Sequence, residues 1–210
     1  MELELKERLD VLIAREGLGE WDNNFIHSLS EQLEKKGRLS ERQVEILAKI
    51  EARYTADAVI ARIKWEDEYD EEKRNISKAC AIYYANTGYF RDLVNKVLYE
   101  KDFIPSEKQW NAMCCNKYAM KVREAYTGDP KFPVGTMISV RKSTPGAGPV
   151  LARYSRKVGT DLAIVISSTE PVISAARGNR RYKILFVGDA TPQFAEERDI
   201  KKLPKKYQKK

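Results

Sequence analysis

The stretch Tyr126-Thr127-Gly128-Asp129-Pro130-Lys131-Phe132-Pro133 divides the chain into two kinds of sequence. Its two prolines and one glycine cannot continue a helix. Upstream, apolar residues recur every three or four positions. Downstream, they alternate in short runs broken by glycines. Charge divides at the same place. Residues 131–210 hold 17 Lys+Arg and 6 Asp+Glu, a balance of +11, whereas residues 1–130 hold 21 and 25, a balance of −4. The net +7 of the 210-residue chain therefore conceals an acidic part and a basic part. Such a split points to regions with different partners.

Composition excludes several classes. No apolar run approaches the ~18 residues of a spanning helix, so no membrane partner is expected. The opening Met1-Glu2-Leu3-Glu4-Leu5-Lys6 is charged from its second residue, unlike a secretory signal. Three cysteines, at 80, 114 and 115, cannot build a disulfide framework, and a reducing cytoplasm is the expected compartment.

The upstream part reads as an all-α domain over 1–128. Leu5, Leu9 and Leu12 form one face of a first helix ending at Gly17-Leu18-Gly19. A second runs from Glu20 to Lys36 with Trp21, Phe25, Leu29 and Leu33 as its apolar positions, and Gly37 stops it. Ser40 and Gln43 form a capping box for a third, whose stripe is Val44, Leu47 and Ile50. The pattern then returns. Phe90, Val94 and Leu98 repeat the spacing of Phe25, Leu29 and Leu33, and Ser106 with Gln109 repeats the capping box ahead of Trp110 and Met113. The expectation is two similar helical hairpins, over 20–54 and 85–122, whose stripes need packing partners. Between them, Glu66 to Glu72 carries six carboxylates in seven residues. These read as a solvated junction, with Asp70, Glu71 and Glu72 at a helix start, rather than as a metal site. Residues 76–89, with Cys80, Ile82, Tyr83 and Tyr84, read as a buried helix.

Downstream, strands are expected at Thr136–Arg141, Val150–Val158, Asp161–Ser167, Pro171–Ala176, Arg181–Val187 and Gln193–Lys201. Short strands at close spacing fit a small closed barrel over 131–200, followed by a basic flexible tail at 201–210. The overall class is α+β. The run Phe132-Pro133-Val134-Gly135-Thr136-Met137-Ile138-Ser139-Val140 resembles the opening of SH3-like barrels, where Val-Gly precedes the first strand. The ending resembles them too, with an apolar Tyr182–Gly188 before the Glu-rich Phe194–Ile200. The helical part resembles small phage proteins, replication-associated or of unassigned role, that carry a Leu-Ser-x-x-Gln helix start, here Leu39 to Gln43. Those resemblances imply a fold and a source, and bring no catalytic residues.

Enzymatic signals are thin, and a non-enzyme without cofactor is expected. His27 is the only histidine, so no Ser/His/Asp set assembles convincingly. Cys114-Cys115 follows Met113 in a helical stripe and reads as packing. Cys80, Cys114, Cys115 and His27 match no standard zinc spacing. Ser143–Gly148 is Gly-rich but lacks the Gly-Lys-Ser/Thr ending of a phosphate loop, and reads as a hairpin loop. Asp161, Asp189, Glu196 and Glu197 would be the carboxylates of a nuclease, yet sit at turn and closing-strand positions.

Binding signals are stronger. Arg141, Lys142, Arg153, Arg156, Lys157, Arg180 and Arg181 are expected to contact phosphates, with Tyr154 stacking on a base. The expected function is non-catalytic nucleic-acid binding in phage or bacterial replication or transcription, with proteins of that machinery as further partners. The alternative is an adapter that binds host or phage proteins without touching nucleic acid. On this reading, Ala at Arg180 and Arg181 should weaken binding without unfolding the barrel.

Overall fold

The computed structural model describes residues 2–142 and 148–203. The Ser143–Gly148 loop, apart from the backbone of Gly148, and the tail beyond Leu203 lie outside the described residues. The chain divides into two compact units at Asp67/Glu68.

The first unit holds α1 (Glu2–Ile13), α2 (Glu20–Lys36), α3 (Glu41–Arg53) and α4 (Ala56–Glu68, whose last residue crosses the division). Gly37 ends α2 at φ 69°, the left-handed conformation that glycine adopts without a Cβ clash. Ser40 caps α3 through a complete capping box with Gln43. Leu9, Leu12, Ile26, Leu29, Leu33, Leu47, Ile50 and Tyr54 form the core. Leu29 and Leu33 are buried as expected, but in the first half of α2 the buried stripe is turned by one residue, to Asp22 and Ile26. Ile26 is buried while Trp21 is 60 % exposed, stacked flat on Phe25 at 5.0 Å. The turn brings Asp22 inside, where Tyr54 donates to it at 2.8 Å and Arg53 pairs with it at 2.9 Å. The buried carboxylate therefore has partners on α3 and at its C-terminal end.

In the second unit, α5 (Glu71–Ala85) packs against α6 (Arg91–Tyr99), α7 (Glu107–Cys114) and α8 (Lys117–Thr127). Asp70 caps α5, its carboxylate accepting from the Lys73 N–H at 2.8 Å, which is the helix-start role read from the acidic run. Ser106 and Gln109 form the second capping box. Each hairpin stripe is covered by a preceding helix of its own unit, α1 on α2 and α5 on α6 and α7.

A five-stranded antiparallel sheet follows: β1 (Met137–Val140), β2 (Leu162–Glu170), β3 (Arg181–Phe186), β4 (Gln193–Glu196) and β5 (Ile200–Lys202), in the order β4-β3-β2-β1-β5. Its alternation buries Ala163 and Val165 on β2 and Tyr182, Ile184 and Phe186 on β3. The sheet is not closed. Among the described residues β4 and β5 are its two edges, joined by a 3-10 turn at Glu197–Asp199.

Two expected strands are corrected. Val150–Val158 is helical, part of α9 (Gly148–Val158), and Pro171–Ala176 is irregular. The sequence of α9 carries both periods. Val150, Ala152, Tyr154 and Val158 share the parity of a strand, but Leu151, Tyr154 and Val158 share one helical face. The helical face wins because it completes the core: Leu151 is buried, and Tyr154 and Val158 pack against the same cluster as Phe132, Val165 and Phe186. Pro149 is tolerated in the first turn, where its missing N–H is not needed.

Candidate nucleic-acid interface

Packing one face of α9 on the sheet leaves the other in water. Arg153, Arg156 and Lys157 stand there at i, i+3 and i+4 spacing, all exposed. The end of β1 supplies the opposing wall. Arg141 is exposed there. Its backbone N–H donates to the Asp199 carbonyl at 2.8 Å and its Nε to the Ile200 carbonyl at 3.1 Å, so the 3-10 turn and the start of edge strand β5 fix its stem. Between the two walls lies a concavity of about 380 Å³, lined by Val140, Arg141, Lys142, Ala152, Ser155 and Arg156. It contains three positive side chains and no carboxylate. Among the described residues, Arg141, Lys142, Arg153 and Arg156 form no salt bridge. Lys201 and Lys202 follow, exposed, on β5 beside β1.

The expected site residues are thus sorted. Arg141, Lys142 and Arg156 share one concavity, while Arg153 and Lys157 are exposed on α9 outside its lining. Ser155 and Ala152, which sequence reading passed over, complete the lining, and the helical period of α9 was the signal for them. Tyr154 is on the opposite face. Its ring lies 5.6 Å from Phe186 and its hydroxyl donates to Asp189 at 2.6 Å. That hydrogen bond pushes the Tyr154 hydroxyl above its ordinary value and holds the Asp189 carboxyl below its own. Tyr154 anchors α9 through these two contacts and stands outside the lining of the concavity.

Arg180 and Arg181 are not brought to this concavity. Arg180 is buried, and its guanidinium donates to the Gly128 carbonyl. Arg181 lies 4.0 Å from the centroid of the Phe194 ring, a cation–π contact across β3 and β4. The double-Ala expectation is accordingly replaced. Arg180→Ala is expected to lower stability by about 1.5 kcal/mol, the scale of a hydrogen bond to a charged group, and to leave nucleic-acid affinity unchanged. Urea unfolding and binding anisotropy on the same sample check both parts.

The carboxylates that a nuclease would need have partners, as does Asp199. Asp161 accepts from the Ser139 hydroxyl at 2.9 Å, Asp189 from Tyr154, and Asp199 from the Glu196 N–H at 3.0 Å. Glu196 pairs with Arg198 at 2.6 Å and Glu197 with Lys131 at 3.9 Å. His27 is exposed. Cys80 and Cys114 are buried and Cys115 is exposed. A hydrogen bond with Cys80, together with burial, holds the Cys114 thiol far above its ordinary value, so it is not a nucleophile. No three His, Cys, Asp or Glu residues among those described converge to hold a metal, and no described helix is long and apolar enough to cross a membrane.

No family model, curated protein or solved structure matches the chain.

Proposed function

We propose that this chain is a non-catalytic nucleic-acid-binding accessory protein that grips phosphates with the exposed face of α9 and the end of β1. One observation carries the reading. Five of the basic residues singled out by sequence lie on two adjoining elements, three of them around one concavity without an acid. Guanidinium and ammonium groups without carboxylate partners are free to replace the counterions of a phosphate backbone. The domain reading, a helical part over 1–128 and an SH3-like module over 131–200, remains our proposal. It is supported by Val134-Gly135 ahead of β1 and by the pairing of β1 with both β2 and β5, the chain's last described strand. The two capping boxes support two related hairpins. A phage source, a cytoplasmic setting and a place in replication or transcription complete the proposal, resting on the Leu39–Gln43 helix start and the absence of a disulfide framework.

The test is binding of the full chain to labelled duplex DNA, single-stranded DNA and RNA across a salt series. Five phosphate contacts predict a log–log slope of about −4.5 on duplex, a loss of several hundredfold between roughly 50 and 200 mM salt. Absence of binding to every polymer overturns the proposal and leaves the adapter reading. Binding that ignores salt removes the phosphate contacts.

A further inference from the structure

Elsewhere in the second unit, a hollow of about 300 Å³ opens between the end of α5 and α6. Tyr84, buried, is fixed in its lining by donating to the Asn116 carboxamide oxygen at 2.9 Å. Tyr89 and Tyr99 also line it, 69 % and 81 % exposed. Among the described residues neither of those rings has a hydrogen-bond or ring partner. The turn between the helices holds Tyr89 outward. Gly88 has φ 77°, and Phe90 has φ 56°, a conformation that a bulky L-residue rarely adopts. Phe90 is kept there by edge-on packing against Tyr84 at 4.9 Å. Arg91 arches back over Gly88, its Nη2 3.6 Å from where a Cβ would stand, and Asn95 adds an amide to the lining.

Large exposed rings around a hollow are a binding feature rather than ordinary surface. Exposed aromatic rings suit a flat, stacking ligand. The lining contains one positive charge and no negative one, which selects an anion. A nucleotide joins both properties, with Asn95 available to a base edge. We infer that this hollow takes one unpaired base of a single-stranded nucleic acid, stacked on Tyr89 and Tyr99, with Arg91 on the adjoining phosphate. The inference rests on the nucleic-acid reading above and adds strandedness to it: the α9 face grips backbone of either form, and the tyrosine hollow accepts only a base that is free of its partner.

The test uses the full chain, an oligothymidylate and a duplex of equal length. Tyr89→Ala and Tyr99→Ala are each expected to weaken oligothymidylate binding about tenfold, the scale of one lost stacking contact, and to change duplex binding less than about twofold. Tyr89→Phe and Tyr99→Phe keep the ring and should keep the affinity. Unchanged oligothymidylate affinity in both Ala variants, with duplex binding intact, overturns the inference and leaves the proposed function standing. Equal weakening on both polymers also overturns it. Failure of the unaltered chain to bind either polymer overturns both readings. Should an Ala variant lose its fold, Arg91→Gln carries the test. It is expected to weaken oligothymidylate alone and to flatten its salt slope by about 0.7, and unchanged affinity there refutes the site.

Discussion

Replacing Arg153, Arg156 and Lys157 together by Glu is expected to reduce nucleic-acid affinity about a thousandfold at roughly 0.1 M salt, because each phosphate contact is worth about tenfold there relative to 1 M. The salt slope on duplex should flatten by nearly 3. The fold should survive. These residues occupy the solvent face of α9, opposite Leu151 and Val158, and none is held in a salt bridge among the described residues. Their internal contacts are minor: Arg156 to the Ala152 carbonyl at 3.2 Å, and Lys157 over Tyr154 at 5.9 Å. Placing acids in the last turn costs about 0.5 kcal/mol against the helix dipole. A control separates the site from net charge. Glu at Lys35, Lys36 and Arg38, exposed at and just beyond the end of α2, changes the charge of the chain equally. Equal loss in both variants would mean that overall charge attracts the polymer and that α9 has no special place in it.

The effect depends on α9 being a helix, a feature that the sequence leaves open between two periods. Local rules were readable. The limits of α2, Glu20–Lys36, follow from a glycine on either side and a four-residue apolar period, and both capping boxes form from a Ser with a Gln three residues on. Clean alternation marked β3, where Tyr182, Ile184 and Phe186 face inward. Features decided by distant partners were not readable. The buried face of α2 turned toward Ile26 because Asp22 meets Tyr54 and Arg53, far along the chain. Arg180 looked like a surface cation, and only the Gly128 carbonyl, 52 residues earlier, explains its burial. In α9 both periods were present, and the choice belonged to the sheet core that Leu151 completes. The open ladder is of the same kind. Turn spacing announces short strands, while edge pairing depends on where β4 and β5 end. The candidate site followed this division: residue types were legible, and their grouping required the helix.

Tyr182 gives a second expected result, a share of the stability lost in alkali that belongs to its hydroxyl. The side chain is fully buried on β3, its ring 5.9 Å from that of Phe132, and its hydroxyl donates to the Glu197 carboxylate at 3.3 Å. Burial first, then the negative charge of Glu197, push its pKa from 10.0 up to about 12. An unfolded chain releases this proton near 10 and the folded chain holds it to about 12. Between those values the native state binds more protons, so stability falls as pH rises. The contribution is complete below pH 10 and declines by about 1.4 kcal/mol per pH unit, some 2–3 kcal/mol in all. Tyr182→Phe keeps the ring and has nothing to ionise. Its urea-unfolding free energy should therefore fall less than that of the unaltered chain between roughly pH 9 and 11.5. Tyr69, Tyr83 and Tyr84, also raised by burial, are common to both proteins and cancel in the difference. Parallel pH profiles would refute the account. They would mean that solvent reaches the Tyr182 hydroxyl in the folded chain, and that the core behind β3 is not sealed at its Phe132 end.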